Sequence, residues 1–454
     1  MNSVPEWIQR TDAKYILVII LVLFFLFEAA NLNFNTIFTD ESQYLIIGNE
    51  LRDIYDFGGD PPRYIFGSTL FPLIYGIMDL IGGLFAARLL SVILATGTSF
   101  FVYLTSRELL DRKLALVSLS IFVLNAPFIF VSRMVSFEIF SIFFLSAGFY
   151  FAIAGSKNKG FYLSPISFFF SVISKYIAII YTVVLFPFIY SKNKKKGLYF
   201  LIVFLLFLSI YAILFFSSLI SLLSFFSDKH LNSLAQIDIT RFISILFYFV
   251  IPFSLALLAK NRIKEWKYLL FGSLLMFIFH VFTFNFEYTM FKHMAYPFIF
   301  LSPLMAAGIV RLRVKIGGIV LIAFVISSGF FVYYLDRSYP NISEPVDYIR
   351  SMPDANIILG ESNSYIYYFM REPNKQTHAT FYLDYDGDTL STFNDFKEAV
   401  DNRFFDIIVL DGFFTPDLSR DIEDILPGKY YLNKTFNSKL HFGDSFTINL
   451  YRRV

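Results

Sequence analysis

Residues Tyr15 to Phe27 read YILVIILVLFFLF, thirteen apolar side chains without interruption, and this run decides the fold class. A helix crosses the hydrocarbon core of a bilayer in about 20 apolar residues at 1.5 Å each. Extended to about Asn31, the segment reaches that length. No small-x-small cleavage site follows it, so the run reads as a retained span and not as a signal peptide. Similar runs recur near 86–106, 114–132, 137–155, 160–174, 176–190, 198–218, 242–259, 268–284, 294–310 and 316–335, then stop. Eleven spans are expected.

Composition agrees. Of 454 residues, 56% are hydrophobic and only 16% charged, whereas a soluble globular chain carries about 25% charged residues. The net charge of +2 says little, because its distribution carries the information. The chain has no cysteine, which excludes disulfides and thiolate metal sites. Nothing in the charge pattern suggests a nucleic-acid partner.

Basic residues mark the cytoplasmic side of membrane helices. With the N-terminus placed in the cytoplasm, basic loops such as Lys192–Lys196 and Lys260–Lys267 all fall on that side. The opposite side of the membrane part holds only Arg52, Arg63, Arg88, Arg133, Lys175, Lys229, Arg241 and Lys292. The expected architecture is a polytopic α-helical membrane domain over 1–335 and a small extracytoplasmic α/β domain over 336–454. The first outer loop, about 34–85, carries Pro61 and Pro62. Within it, FPLIYGIMDLIGGLF reads as an interfacial helix before a twelfth span, because Asp79 and three glycines interrupt it. The tail alternates strand-like runs (NIILG, DIIVLDG, SFTINLY) with helical ones (SNSYIYYFM, NDFKEAVDNR, SRDIEDIL), the pattern of a partly parallel sheet.

Ionisable groups at membrane depth are costly and mark function by default. Asp40 and Glu41, beyond the first span, could serve as a base or metal ligands, or as an ordinary acidic helix start. Glu138 lies in the apolar run SFEIFSIFF and needs a partner or a wet cavity; Arg133, five residues earlier, is the partner at hand. Lys175 in VISKYIAII either snorkels to the outer interface or meets an anion such as a phosphate. Lys292, His293 and Tyr296, after the stretch Asn285–Tyr288, could contact a phosphate or sugar, although Tyr296 also fits an aromatic belt. Arg88, opening the second span, reads either as an anchor or as a ligand.

In this order the pieces resemble the GT-C superfamily of membrane glycosyltransferases, and within it the protein O-mannosyltransferases and the lipid A aminoarabinose transferases. The resemblance rests on Asp40, Glu41 and Tyr44, then Pro61-Pro62, then Gly82-Gly83 with Ala87-Arg88-Leu89. It continues with Ser132-Arg133 and an acid five residues on, Ser174-Lys175-Tyr176, and His293-x-x-Tyr296-Pro297. It implies an inverting transfer of a sugar from a polyprenyl- or dolichyl-phosphate donor to an acceptor protein, lipid or glycan on the outer face of the membrane. It implies Asp40 as general base, with Glu41 beside it. Lys175 leads the candidates for the donor phosphate, followed by Arg133, His293 and Lys292. Glu138, Tyr44, Gln43, Arg88 and Tyr296 would orient acceptor or sugar. Aminoarabinose transferases often carry Arg where this chain has Gln43. The resemblance fixes no cofactor, and the outer-loop carboxylates could take a divalent cation. Asp384–Asp388 in the tail reads as a solvated turn. An oligosaccharyl or polymer transferase using a pyrophosphate-linked donor is the rival enzyme. A lipid-linked sugar flippase is the rival from another class, but the internal repeats and midplane charges of a transporter are not evident.

Overall fold

A computed structural model describes residues 13–53, 68–155, 159–220, 222, 239–283, 289–380, 393–413, 415–439 and 445–454. Pro61, Pro62, Asn285–Tyr288 and Asp384–Asp388 lie outside the described residues. The chain forms two compact units. One comprises residues 1–32, 56–74 and 81–332; the other comprises 33–55, 75–80 and 333–454.

The first unit is helical. Among the described residues five helices are long and apolar enough to cross a membrane: Ala13–Ala30, Leu70–Leu109, Phe137–Ala154, Lys194–Leu214 and Val314–Asp336. Shorter apolar helices cover Gly160–Ser174, Tyr176–Lys192, Ile243–Leu258, Trp266–Val281 and Pro297–Ile309. Each expected span therefore coincides with apolar helix, but fewer than eleven have the length of a crossing. One departure has a clear local cause. The expected 114–132 span is a pair, Arg112–Val123 and Ala126–Ser132, bent by 67°. Asn125 makes the break: its side chain accepts from Phe128 N–H at 3.0 Å, and Pro127 occupies the new first turn, where a missing N–H costs nothing. The freed Ala126 N–H donates to Tyr248 Oη at 3.0 Å. The segment FPLIYGIMDLIGGLF forms the first part of Leu70–Leu109. That helix breaks at Gly82 and Gly83, where Gly83 has φ 63 and ψ −159, a conformation open to glycine alone.

Helices Phe137–Ala154 and Leu163–Ser174 form a tight hairpin. Ser141 Oγ donates to the Ser171 carbonyl at 2.9 Å and Ser171 Oγ to the Ser141 carbonyl at 2.8 Å. Ser164 Oγ reaches the Gly148 carbonyl at 2.8 Å. In an apolar unit such exchanges fix register, because an unpaired hydroxyl has no water to turn to.

The second unit holds helix Thr39–Asp53 and a five-stranded mixed sheet: β1 Ile357–Gly360, β2 Gln376–Ala379, β3 Ile407–Leu410, β4 Tyr430–Lys439 and β5 Ser445–Arg453, in the order β2-β1-β3-β5-β4. β1 pairs parallel with β2 and β3, and the other pairings are antiparallel. The period-2 alternation of strands splits the core into two faces. Ile358, Ile407, Val409, Ile448 and Leu450 face Val346, Ile349 and Phe369. Leu359, Ile408 and Leu410 face Phe396, Val400 and Ile422. Asp79 is fully buried in this unit, accepting from Asn49 at 2.8 Å, from Tyr367 Oη at 2.7 Å and from Arg371.

Gly308 abuts the backbone of Leu255 so closely that a Cβ there would overlap the Leu255 carbonyl. Gly308→Val should destabilise the protein by at least the ~1–3 kcal/mol typical of overpacking, read as a lowered melting temperature in detergent. An unchanged melting temperature would contradict this helix packing.

Candidate functional site

The serine exchange decides where the hairpin's charges go. Glu138 lies three residues before Ser141 and Lys175 four residues after Ser171, so in an antiparallel pair both come to the same end. Lys175 stands at the break between Leu163–Ser174 and the 3-10 turn Tyr176–Tyr181, in extended backbone. Its Nζ lies 3.0 Å from Glu138 Oε1. The lysine side chain is 24% exposed and the glutamate 0%, so the carboxylate is enclosed while part of the lysine side chain is not. Lys175 is thus an ion-paired residue.

His293, at the end of the short helix Thr289–His293, brings Nε2 to 3.6 Å from the same Oε1. Its other nitrogen, Nδ1, lies 3.1 Å from His280 Nε2. Buried Lys292 contributes a second positive charge at Glu138. Among the described residues, one carboxylate here faces two ammonium groups, with Glu138 Oε2 and His293 Nε2 lacking a hydrogen-bond partner. Buried polar atoms without partners are rare in folded proteins and call for a water or a ligand. Tyr296 is fully buried and stacks on Tyr181 at 6.0 Å between ring centroids, so it stands within the core of this unit and not in an interfacial belt.

Arg133 does not pair with Glu138. Its Nε lies 3.1 Å from Glu28 Oε2, and Ser132 Oγ donates to the same oxygen at 2.9 Å. The reason is directional. Arg133 caps the end of Ala126–Ser132, and its Nε also faces the Ile129 carbonyl, four residues back, at 3.4 Å. Glu138 belongs to the next helix. Arg88, 1% exposed, donates to the Leu32 carbonyl at 2.6 Å and closes the end of the first helix.

In the second unit, Glu41 is the return half of a capping box. Its Oε2 accepts the Phe38 N–H at 2.9 Å, and its side chain is fully buried at the start of Thr39–Asp53, as an N3 glutamate does. Glu41 therefore serves the helix start. Asp40 and Gln43 are half-buried and Tyr44 is buried. Among the described residues no three Asp, Glu or His side chains form a group that could hold a metal.

Two solved structures of ArnT from Cupriavidus metallidurans superpose on nearly the whole chain. The apo form aligns with TM-score 0.63 at 11% identity over 96% of this chain and 98% of that one. The form bound to undecaprenyl phosphate aligns with TM-score 0.65 at 12% identity over 100% and 99%. This chain has a GT-C fold. The oligosaccharyltransferase of Archaeoglobus fulgidus, in complex with zinc and sulfate, aligns with TM-score 0.51 at 14% identity over 94% of this chain and 72% of that one. No protein-family model and no curated protein sequence matches the chain. As in the sequence reading, a GT-C fold makes this a multi-pass membrane protein with a small C-terminal sheet.

Sequence reasoning passed over four residues of this chain. Glu28 and His280 were readable by the rule that singled out Glu138, as lone ionisable groups in apolar runs. Glu361 and Asp411 carry no such signal, since the tail is polar. Each follows a parallel strand of the second unit, β1 and β3. Glu361 accepts the backbone N–H of Asp411 at 2.7 Å, of Thr415 at 2.9 Å and of Gly412. Burial opposes the charged form of Glu361, but those amides outweigh it and hold the carboxyl below its ordinary value. Burial, and then the charge on Glu361, push the Asp411 carboxyl well above its ordinary range.

Two outcomes follow. Glu28→Ala leaves Arg133 with a buried charge stripped of this partner and should cost about 3–5 kcal/mol, seen as a large drop in melting temperature. Glu28→Ala combined with Arg133→Met should recover much of it, and a double variant as unstable as the single one would contradict the pairing. The raised Asp411 makes its contribution to stability below the ordinary value of 3.8, and that contribution is lost as pH rises toward the raised value. Asp411→Asn, fixed in the neutral form, should therefore lose less melting temperature than the wild type as pH rises above the ordinary carboxyl value of 3.8. Parallel curves would refute the shift.

Proposed function

We propose that this protein is an inverting glycosyltransferase that moves a sugar from a polyprenyl- or dolichyl-phosphate donor to an acceptor hydroxyl on the extracytoplasmic face of the membrane. The carrying observation is the Glu138 cluster: a partly exposed lysine over a buried carboxylate, with a second lysine and a histidine against the same carboxylate. A phosphate adds negative charge to a place where ammonium groups outnumber carboxylates. Lys175, the exposed member, can turn from Glu138 to that phosphate, while Lys292 and His293 continue to face the glutamate. The fold likeness to an ArnT bound to undecaprenyl phosphate supports a lipid-phosphate donor.

The chemistry needs few groups. The acceptor oxygen attacks the anomeric carbon from the face opposite the phosphate. The bond from that carbon to the phosphate oxygen breaks, and the lipid phosphate leaves with the electron pair. Negative charge grows on the leaving oxygen, and a fixed ammonium stabilises it in a medium poor in water. The acceptor hydroxyl loses its proton to a base within hydrogen-bond reach. Asp40 is our choice for that base: Glu41 is committed to the helix start, whereas Asp40 is half-buried. Arg133, held by Glu28, positions the turn that leads into Glu138. The N-terminus is assigned to the cytoplasm and the 336–454 domain to the outside by the distribution of Lys and Arg.

Oligosaccharyl transfer, with a pyrophosphate-linked donor, is the second reading; the fold likeness to an archaeal oligosaccharyltransferase supports its oligosaccharyl part. Membranes containing the protein, supplied with polyprenyl-phosphate sugars and with pyrophosphate-linked sugars, separate the two. Asp40→Asn should lower transfer about 10²–10⁴-fold, the usual contribution of a positioned base. Lys175→Ala should raise donor KM more than acceptor KM. Wild-type turnover in Asp40→Asn removes the base, and wild-type donor kinetics in Lys175→Ala remove the phosphate contact.

A further inference from the structure

Two buried histidines meet in the first unit, and one of them faces Glu138. His280 lies near the end of helix Trp266–Thr283 and is fully buried. His293 closes the short helix Thr289–His293. His280 Nε2 stands 3.1 Å from His293 Nδ1. With 5.1 Å between the ring centroids, these nitrogens lie close to the line that joins the rings. The contact therefore runs along their in-plane bonding directions and is not a stack. The opposite nitrogen, His293 Nε2, faces Glu138 Oε1 from 3.6 Å, beyond the ordinary reach of a hydrogen bond.

Two ring nitrogens in such contact share one proton. Were it on His293 Nδ1, a neutral His293 would present the bare Nε2 lone pair to a carboxylate oxygen, two acceptors face to face in a buried place. With the proton on His280 Nε2, His293 keeps its own on Nε2 and turns an N–H toward Glu138. A doubly protonated His293 would satisfy both contacts. However, Lys175 and Lys292 already set two positive charges against this one carboxylate, and a third without its own counter-ion is costly to bury. The neutral arrangement with His280 as donor leaves no acceptor opposed to another. The bond made at one ring nitrogen thus fixes the proton on the other.

That proton has a use in donor binding. In the transferase reading Lys175 leaves Glu138 for the donor phosphate, and a fully enclosed carboxylate loses its nearest cation. The His293 N–H has to close by only about half an ångström to take over the vacated oxygen. We infer that His280 is a positioning residue for donor binding: it holds His293 in the Nε2–H form, and that form lets Glu138 release Lys175. His280 itself touches no reactant. The consequence for donor binding rests on the transferase reading, whereas the proton assignment does not.

The assignment is read on the full-length wild type in lipid nanodiscs at neutral pH. Nitrogen NMR of protein carrying isotopically labelled histidine reports on five rings, and His280→Gln and His293→Gln identify the two signals of interest. His293 should be neutral and protonated on Nε2, with Nδ1 accepting from His280. A His293 protonated on Nδ1, or on both nitrogens, overturns the inference.

Kinetics then separate positioning from packing. His280→Phe keeps an aromatic ring and removes the donor; it should raise donor KM about three- to tenfold, the range of one hydrogen bond, with acceptor KM within about twofold of wild type. His280→Gln, whose amide N–H reaches toward the same nitrogen, should restore most of the loss. In the Lys175→Ala background no ammonium has to be released, so His280→Phe should add nothing to donor KM. Equal losses in both backgrounds, no loss in His280→Phe, or a His280→Gln no better than His280→Phe would overturn the inference. A wild type that takes no sugar from any polyprenyl phosphate defeats the transferase reading instead, and the nitrogen spectrum alone then decides the His280–His293 assignment.

Discussion

A carboxylate cannot be enclosed in an apolar helical unit without a cation, and Glu138 obeys that constraint through the register of a single hairpin. The reciprocal bonds of Ser141 and Ser171 lock helices Phe137–Ala154 and Leu163–Ser174 so that Glu138 and Lys175 emerge at one end. A slip of the register would bury an unpaired charge, which costs several kcal/mol. The serines contribute modestly by themselves, since interhelical hydrogen bonds in membranes average about 0.6 kcal/mol. Their value is geometric. A buried ion pair adds little net stability against an apolar substitute.

A second pair fixes the approach to the first. The 67° bend at Asn125 turns the chain so that Ser132 and Arg133 both reach Glu28. Glu28 lies on the first helix, and Arg88 holds the end of that helix through the Leu32 carbonyl. These contacts tie the first helix to the strand of chain that leads into Glu138. The breaks at Asn125, at Ser174–Lys175 and at Gly82–Gly83 are what distinguish this unit from a plain bundle. Each follows from a specific residue: an Asx cap with a proline behind it, a lysine in extended backbone, and a glycine in the left-handed half of backbone space.

Much of this was legible in the sequence. The apolar runs marked the helices, and NIILG, DIIVLDG and SFTINLY fell on β1, β3 and β5. β2, with the sequence Gln376-Thr377-His378-Ala379, is a polar edge strand and offers no hydrophobic alternation to read. The helix count was harder, because composition records apolarity but not the breaks that shorten a helix. Partner choice was hardest. Five residues separate Arg133 from Glu138, and proximity in sequence suggested a pair. The guanidinium instead points back along its own helix toward Glu28, 105 residues away. Asp40 and Glu41 look equivalent as adjacent acids, yet helix geometry assigns the second of them to the Phe38 N–H. The Glu361–Asp411 pair lay in a tail where acids are ordinary, and only the parallel pairing of β1 with β3 brings their strand ends side by side.

A structure determined with a bound polyprenyl phosphate tests the central claim most directly. The account predicts the phosphate within hydrogen-bond reach of Lys175 Nζ, about 2.7–3.2 Å, with the lysine drawn away from Glu138 and the His293–Glu138 distance shortened. A phosphate bound elsewhere, with the Lys175–Glu138 pair intact beneath it, would contradict the account.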